Sequence, residues 1–494
     1  MLGQNVLLVG LGESGLACAR WALMQGARLT IVDSRENPPG LDALKEKGQD
    51  FLFVSNPVEL KWPYDQVCVS PGLSPKHELM RAVVAQAQVN EVQIDSELDW
   101  FADGLARLKQ ERHYTPKVVS VTGTNGKTTT VKMTACLASH AGRQVQCAGN
   151  VSPAALEALR LAIEEDTLPD VWVLELSSFQ LHWTKRLYSD ASTVLNVSED
   201  HLDWHASMQE YASDKAKIFS AGSVCLFNRD DREVMKMQLP EQARLHSFGT
   251  GSPTDWNQFG LVRDGGLVWL AMTGAAPEQT GRRKRATDRA TDKVAEDHEV
   301  RPKLLMPMDA LKVFGLHNAS NALAALALCR AIDLPMAGLL HGLRAYEGEP
   351  HRVQFVRSLE GVEFFDDSKG TNVGATIAAL NGLARKTILI AGGQGKGQNF
   401  NPMVQPVSQY CKSMVVLGQD AALLERVFSQ TVTTHRVTSM QEAVETAFSL
   451  ASEGDCVLLS PACASLDMFK NYVARAEAFI EAVAELAMKR GQVC

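Results

Sequence analysis

The sequence has no C-x-x-C pair. Its ten cysteines run from Cys18 to Cys494 at unrelated spacings, which excludes a zinc ribbon and a disulfide framework and leaves reduced, mostly buried thiols. No apolar run approaches the roughly 20 residues of a membrane span. The start, Met-Leu-Gly-Gln-Asn, carries no basic segment ahead of an apolar one, so no signal peptide is expected and the protein is expected in the cytoplasm. Positive charge is not in excess either: the net charge of −8 makes non-specific nucleic-acid binding a poor account of its role. Apolar residues are not scarce, at 45% of 494, enough to bury about three domain cores.

Short apolar runs alternate with longer segments of helical period, the pattern of an α/β protein with parallel sheets. Strands are expected at Val6–Val9, Leu29–Val32, Val67–Val69, Val118–Val121, Val171–Leu176, Thr193–Asn196, Thr387–Ile390, Met414–Leu417 and Cys456–Leu459. The polar segment Ala102–Pro116 reads as a linker, and Gly348 and Pro350 mark a second joint near Tyr346–Pro350, ahead of a hairpin-like Val353–Phe365. Thr280–Lys303, with mixed charge and almost no large apolar residue, cannot offset the ordering entropy of about 1–2 kcal/mol per residue and reads as a solvated insert. Its Arg282–Arg285 cluster offers a docking point for an acidic partner, but solvation is the simpler reading.

Gly10-Leu-Gly12-Glu-Ser14-Gly15 follows the first strand and opens a helical segment, Leu16–Gln25; Asp33 ends the next strand. This is the context of a dinucleotide fingerprint, in which glycines admit a pyrophosphate and helix amides stabilise its charge. Asp33 would accept a hydrogen bond from a ribose or base. The motif does not distinguish a nicotinamide cofactor from another diphosphate.

Gly123-Thr124-Asn125-Gly126-Lys127-Thr128-Thr129 lies between the strand Val118–Val121 and the helical Val131–Ser139. Consecutive amides and a helix N-terminus cradle phosphate oxygens, Lys127 faces the β- and γ-phosphates, and the Thr128 hydroxyl suits Mg²⁺. Val121 stands where the ordinary G-x-x-x-x-G-K-[ST] has its first glycine. Mg²⁺ takes oxygen ligands, so Glu175, at the end of the next apolar run, is a candidate partner. Val197-Ser-Glu-Asp-His201 follows another strand and presents His201 at the same edge. His205 four residues on would suggest a two-histidine zinc site, but no H-E-x-x-H glutamate accompanies it.

G-T-N-G-K-T-T, L-E-L-S-S-F-Q and N-V-S-E-D-H-L-D, in that order, with H-N-x-x-N-A at His317–Ala322, P-H-R at Pro350–Arg352, D-D-S-K-G-T-N at Asp366–Asn372 and L-S-P-A-C-A-S-L-D at Leu459–Asp467, resemble the Mur ligases, ATP-dependent amide-forming enzymes. The resemblance spans the chain except the insert. It implies three domains: a Rossmann-like UDP-sugar domain (1–100), a central ATPase of phosphate-loop type (101–348) and a Rossmann-like C-terminal domain that closes on ATP and the amino acid (349–494). It also implies a cytoplasmic step of peptidoglycan synthesis, with UDP-N-acetylmuramoyl-L-alanine and D-glutamate as substrates joined through an acyl phosphate and a tetrahedral intermediate, and a monomer.

By the same resemblance, Gly12, Ser14, Gly15, Asp33, Ser34, Arg35, Ser70 and Gly72 serve the UDP moiety, and no nicotinamide is implied. Thr128 and Glu175 hold one Mg²⁺; His201 and Lys215 hold a second. An ammonium has no lone pair to offer a metal, so Lys215 is implied to be a carbamate formed with CO₂, a reaction open to lysines of depressed pKa. Asn150 and Asn318 are implied to contact ATP, Arg352 and Asp367 to grip the γ-phosphate and ribose. Lys369, Thr371, Lys396, Ser465 and Tyr472 match the positions that bind D-glutamate.

Two departures stand out: Glu349 precedes Pro-His-Arg where an apolar residue is usual, and Glu13 sits in the diphosphate loop. The alternatives are a sister ligase with another acceptor such as L-alanine or diaminopimelate, a folylpolyglutamate synthase, a nucleotide-binding module without chemistry, and a dehydrogenase. The synthase gives no reason for a UDP-type first domain, and mere binding gives none for two metal sites.

Overall fold

The computed structural model describes residues 1–46, 50–202, 204–274 and 300–492. Internal packing divides the chain into two units, Met1–Ala310 with Ser320–Arg344, and Leu311–Ala319 with Ala345–Cys494.

The first unit holds two sheets. Strands β1 (Asn5–Val9), β2 (Arg28–Val32), β3 (Phe51–Val54), β4 (Gln66–Val69) and β5 (Ile94–Ser96) form a parallel sheet in the order β3-β2-β1-β4-β5. Val6, Leu7, Leu8 and Val9 are all buried, as expected of a strand covered on both faces. Sheet growth changes direction between β1 and β4, so their carboxyl ends open the crevice where ligands bind in such sheets.

The second sheet comprises β6 (Lys117–Thr122), β7 (Val145–Gly149), β8 (Val171–Glu175), β9 (Ala191–Val194), β10 (Val224–Asn228), β11 (Arg244–Phe248), β12 (Gln258–Asp264), β13 (Leu267–Met272) and β14 (Lys303–Pro307). Among the described residues its order is β14-β13-β12-β11-β10-β9-β6-β8-β7. The part around β6 is parallel, with β6 between β8 and β9. The far edge departs from the all-parallel expectation: β12, β13 and β14 are antiparallel. The Asp264-Gly265-Gly266 turn between two apolar runs carries a signal for this hairpin that the strand expectations above did not include.

The linker expected at 102–116 is corrected. Most of it belongs to a helix, Glu97–Arg112, that starts at a capping box in which Ser96 and Asp99 satisfy each other's backbone N–H groups. Leu98, Trp100, Phe101 and Leu108 are buried along it, so a polar composition concealed an apolar stripe. Only residues 113–116 connect this helix to β6.

The second unit contains β15 (Gln354–Leu359), β16 (Val362–Asp366), β17 (Thr387–Gly392), β18 (Cys411–Leu417), β19 (Thr433–Arg436) and β20 (Cys456–Leu459) in the order β15-β16-β20-β17-β18-β19. The β15–β16 pair is the expected hairpin and the rest run parallel. Apolar layers lie on both faces, one including Ile388, Val415 and Phe479 and the other Leu389, Met414 and Phe428. The joint read at Tyr346–Pro350 falls just beyond the end of the helix Met336–Ala345. Of the expected insert, 280–299 and with it the Arg282–Arg285 cluster lie outside the described residues; Lys303 opens β14.

Candidate active site

At the carboxyl end of β1, Gly10 enters a tight turn with φ +87°. A side chain on Gly15 would stand 2.1 Å from the Gly10 carbonyl, so the helix Glu13–Met24 can meet the loop this closely only through a glycine. Ser70, after β4, donates its backbone N–H to Val9 O at 2.8 Å, which sets the Ser70-Pro71-Gly72 loop beside the glycine loop. Asp33 lies under this loop: Oδ2 accepts the Leu11 N–H at 2.8 Å and Arg35 Nη2 at 2.8 Å, while Oδ1 accepts Arg35 N at 3.0 Å and Nε at 2.9 Å. Burial works against its charge, yet the bonds from Arg35 and Leu11 hold the carboxyl below its ordinary range. Asp33 thus fixes the loop from beneath, while Ser34 and Arg35 are exposed beside it. Glu13 is exposed in the first turn of the helix, where the helix dipole favours a negative charge.

Strand β6 runs to Thr122, with Val121 in register with Glu175 and Thr193. That extension of the strand replaces the first glycine of the ordinary phosphate loop. Gly126 caps the helix Lys127–His140 in the left-handed region at φ +82°, and a Cβ there would meet Asn321 Oδ1 at 2.8 Å. The segment after β9 stitches the loop shut. Asn196 exchanges hydrogen bonds with the Asn125 backbone at 2.8 and 3.0 Å, and Ser198 N donates to Thr124 Oγ1 at 3.0 Å. Thr124 Oγ1 also pairs with Tyr211 Oη at 3.1 Å. Lys127 Nζ folds back onto the carbonyls of Gly123 and Thr124, at 2.8 and 2.9 Å.

Glu175 ends β8 one strand away and is 2% exposed. Its Oε1 accepts Asn150 Nδ2 at 2.8 Å, whereas Oε2 is buried with no hydrogen-bond partner. A buried carboxylate oxygen without a donor is costly, and a bound divalent cation would remove that cost. Lys215, on the helix Met208–Ala216, is 2% exposed. Its Nζ donates to Gly123 O at 3.0 Å and sits 4.5 Å over the Tyr211 ring. Burial, and then the charge of Lys127, push its proton affinity well below that of an ordinary lysine. His201 stands in the left-handed region at φ +54°, half exposed, its ring edge-on to Phe179 at 4.8 Å. The residues therefore suit the implied divalent cations: one orphaned carboxylate oxygen, one imidazole on a constrained turn and one lysine disposed to be neutral. His205 is fully buried, with Nε2 2.9 Å from Ser178 Oγ.

The second unit presents its own cluster at the carboxyl ends of β16, β17 and β20. Asp367 Oδ2 accepts Ser460 Oγ at 2.7 Å, and burial pushes the Asp367 carboxyl up to about 7 against the pull of Ser460 and Arg352. Arg352 keeps a buried Nε without a partner. Gln394 and Ala464 form a bridge that lays the loop bearing Lys396 beside the segment bearing Ser465. Lys369 Nζ lies 5.4 Å over the Tyr472 ring, and Thr371 precedes the N-cap Asn372. Asn318 Nδ2 donates to Phe314 O at 2.9 Å. The structure thus groups Lys127, Glu175, Asn150 and Lys215 in one unit, and Arg352 with Asp367, and Lys369 with Tyr472, in the other.

Asn196, Tyr211 and Asn321 escaped the sequence reading. Thr130 Oγ1 donates to Asn321 Oδ1 at 3.3 Å, and the H-N-x-x-N-A motif that contains Asn321 was the available signal. Arg475 escaped as well: it is buried and donates to the Ser368 and Cys463 carbonyls at 2.9 and 3.0 Å.

Three family models match the chain: the MurD-like N-terminal domain of Mur ligases over residues 4–92, the Mur ligase middle domain over 121–329 and the Mur ligase glutamate ligase domain over 351–463. The chain is 50% identical over 493 residues to the UDP-N-acetylmuramoylalanine–D-glutamate ligase of Cupriavidus pinatubonensis, covering 99% of this chain and 98% of that one. It is 49% identical over 496 residues to the enzyme of the same name from Burkholderia vietnamiensis, covering 98% of each. Among solved structures, a UDP-N-acetylmuramate-alanine ligase from Thermotoga maritima aligns with a TM-score of 0.54 at 18% identity, over 98% of this chain and 100% of that one. A Mycobacterium tuberculosis folylpolyglutamate synthase complexed with ADP aligns at 0.53 and 16%, over 77% and 96%.

Proposed function

The chain belongs to the Mur ligase family, and we propose that it joins D-glutamate to the carboxyl group of UDP-N-acetylmuramoyl-L-alanine at the expense of ATP. The acceptor assignment rests on the named relatives. The chemistry rests on one observation: the unpartnered, buried oxygen of Glu175 at the strand neighbouring the Lys127 loop.

A carboxylate and a γ-phosphate repel each other, so catalysis is mostly positioning and charge stabilisation. In the reading we favour, the loop amides from Gly123 to Thr129 and the Lys127 ammonium hold the triphosphate, with Asn150 and Asn318 as further contacts. Thr128 and Glu175 would hold one Mg²⁺, and His201 with carbamylated Lys215 a second. Bound there, these cations would neutralise charge on the phosphates and the substrate carboxylate. A carboxylate oxygen of the UDP-substrate attacks the γ-phosphorus and ADP leaves with the electron pair of the broken P–O bond. The D-glutamate amine then attacks the acyl carbon, the tetrahedral intermediate sheds phosphate, and the amine loses its proton to leave the amide.

Gly12, Ser14, Gly15, Asp33, Ser34, Arg35, Ser70 and Gly72 serve the UDP moiety in this reading, with Asp33 acting by holding the loop. Arg352, whose buried Nε lacks an acceptor, would take the γ-phosphate and Asp367 the ribose. Lys369, Thr371, Lys396, Ser465 and Tyr472 would receive D-glutamate, whose two carboxylates call for cations and hydroxyls. We assign the domains to 1–100, 101–348 and 349–494. No helix among the described residues is long and apolar enough to cross a membrane. We infer a cytoplasmic monomer acting on these two water-soluble substrates.

Phosphate release measured with ATP and UDP-N-acetylmuramoyl-L-alanine, adding D-glutamate, L-glutamate, L-alanine or diaminopimelate in turn, tests it. Release dependent on D-glutamate supports the reading; release with another amino acid and none with D-glutamate overturns it.

A further inference from the structure

His205 is a polar ring at zero exposure inside an aromatic cage, with Trp204, Tyr211 and Phe179 centroids 4.5, 5.1 and 5.7 Å away. Its Nε2 lies 2.9 Å from Ser178 Oγ, within a hydrogen bond, while its Nδ1 faces Asp214 Oδ2 at 3.3 Å without forming one. Asp214 itself accepts His182 Nδ1 and Lys217 Nζ, each at 2.8 Å, and so is held in place against the His205 ring. Ser178 opens the short helix Ser178–Trp183, three residues beyond Glu175; Asp214 is the residue before Lys215. One imidazole therefore ties the segment that carries Glu175 to the helix that carries Lys215.

Two other readings of this cluster fail. Ser178, His205 and Asp214 have the composition of a nucleophilic triad, but the serine is 2% exposed and the histidine not at all, so no substrate carbonyl can reach them. His182, Glu210 and Asp214 bring ligand atoms within 4.8 Å of one another, but the Lys217 ammonium already supplies the positive charge there. What remains is orientation. A buried imidazole costs free energy unless its nitrogens are used, and groups behind metal ligands commonly serve to aim them.

We propose that His205, braced by Asp214, is a positioning residue that sets the spacing between Glu175 and Lys215 and thereby shapes the divalent-cation sites without touching nucleotide or cation. The inference rests on the reading of Glu175 and Lys215 as cation-holding residues given above.

The test compares wild type, His205→Ala, His205→Gln and Ser178→Ala, using Mn²⁺ binding followed by electron paramagnetic resonance with a non-hydrolysable ATP analogue present. The Lys215 carbamate is followed by ¹³C NMR in labelled bicarbonate, and the thermal midpoint is recorded for each protein. We expect His205→Ala to weaken Mn²⁺ binding about 10–100-fold and to diminish the carbamate signal. His205→Gln, which keeps an amide able to bond Ser178, should recover part of both. A packing role alone would lower the midpoint and leave Mn²⁺ affinity at the wild-type value, and that result overturns the proposal. Should His205→Ala not fold, Ser178→Ala cuts the same bridge with the ring in place, and unchanged Mn²⁺ binding there overturns it equally. Failure of the underlying reading shows up differently, as a wild-type protein with no carbamate signal and no Mn²⁺ bound; failure of the present inference leaves wild type normal and the variants like it.

Discussion

Lys127 and Lys215 donate to the same oxygen: the Gly123 carbonyl lies 2.8 Å from one ammonium nitrogen and 3.0 Å from the other. One lysine comes from the start of the phosphate-loop helix and the other from a helix nearly ninety residues later. Holding two like charges on one acceptor is unfavourable in a buried setting, and the conflict is relieved if Lys215 gives up its proton. A neutral amine is what carbamate formation requires, and the nearby charge of Lys127 adds to burial in disfavouring the Lys215 ammonium.

Lys127→Ala should abolish the cation on the phosphates while leaving the fold intact. We expect kcat to fall by about 10²–10³-fold, the usual cost of one donor to developing charge. Steady-state phosphate release checks this, with circular dichroism to show that the protein is folded.

Lys215→Ala should lose most activity and regain part of it when acetate or another short acid is added, since a free carboxylate can stand in for the carbamate. Activity against acid concentration is the measurement. Near-normal activity without the acid, or no recovery with it, would count against the assignment.

Asp33→Ala removes the acceptor of the Leu11 N–H and of Arg35. Hydrogen bonds to a charged group contribute about 1.5–3 kcal/mol each, so the glycine loop loses its brace. KM for the UDP-substrate should rise by about tenfold or more while kcat changes little. A fall in kcat at unchanged KM would show that Asp33 serves the reaction rather than the loop.

Glu97 supplies a pH signature. It is 1% exposed, its Oε1 accepts Leu156 N at 2.9 Å, and burial pushes its carboxyl up to about 7. A carboxyl raised above its unfolded value of about 4.3 adds no penalty below that pH, and stability is lost as the pH rises from there through about 7. Each tenfold change in proton affinity is worth about 1.4 kcal/mol. Glu97→Gln should therefore flatten the decline of urea-unfolding stability between pH 5 and 8; an unchanged slope would contradict the assignment.

What the sequence made legible follows from how local each feature is. The phosphate loop, Glu175 and the glycine loop are contiguous motifs at strand ends, and β1, β6 and β20 are short apolar runs with clear punctuation. The polar helix Glu97–Arg112 was misread because its buried residues are thinly spaced among charges. Strands β12 to β14 were missed because antiparallel edge strands alternate weakly here, half-exposed along much of their length. Residues that act across the chain, such as Asn196 on Asn125 or His205 on Ser178, carry no motif; only the register of β6, β8 and β9 brings them together. Asp33 stands out in the sequence at a strand end, but nothing local reveals that its oxygens are occupied by the Leu11 N–H and Arg35.

The acyl-phosphate route is tested most directly by isotope transfer. UDP-N-acetylmuramoyl-L-alanine labelled with ¹⁸O in its free carboxylate is turned over with ATP and D-glutamate, and the released phosphate is examined by mass spectrometry. One ¹⁸O atom in the phosphate, with the other retained in the amide, is the predicted result. Unlabelled phosphate, or label found in AMP, would contradict it.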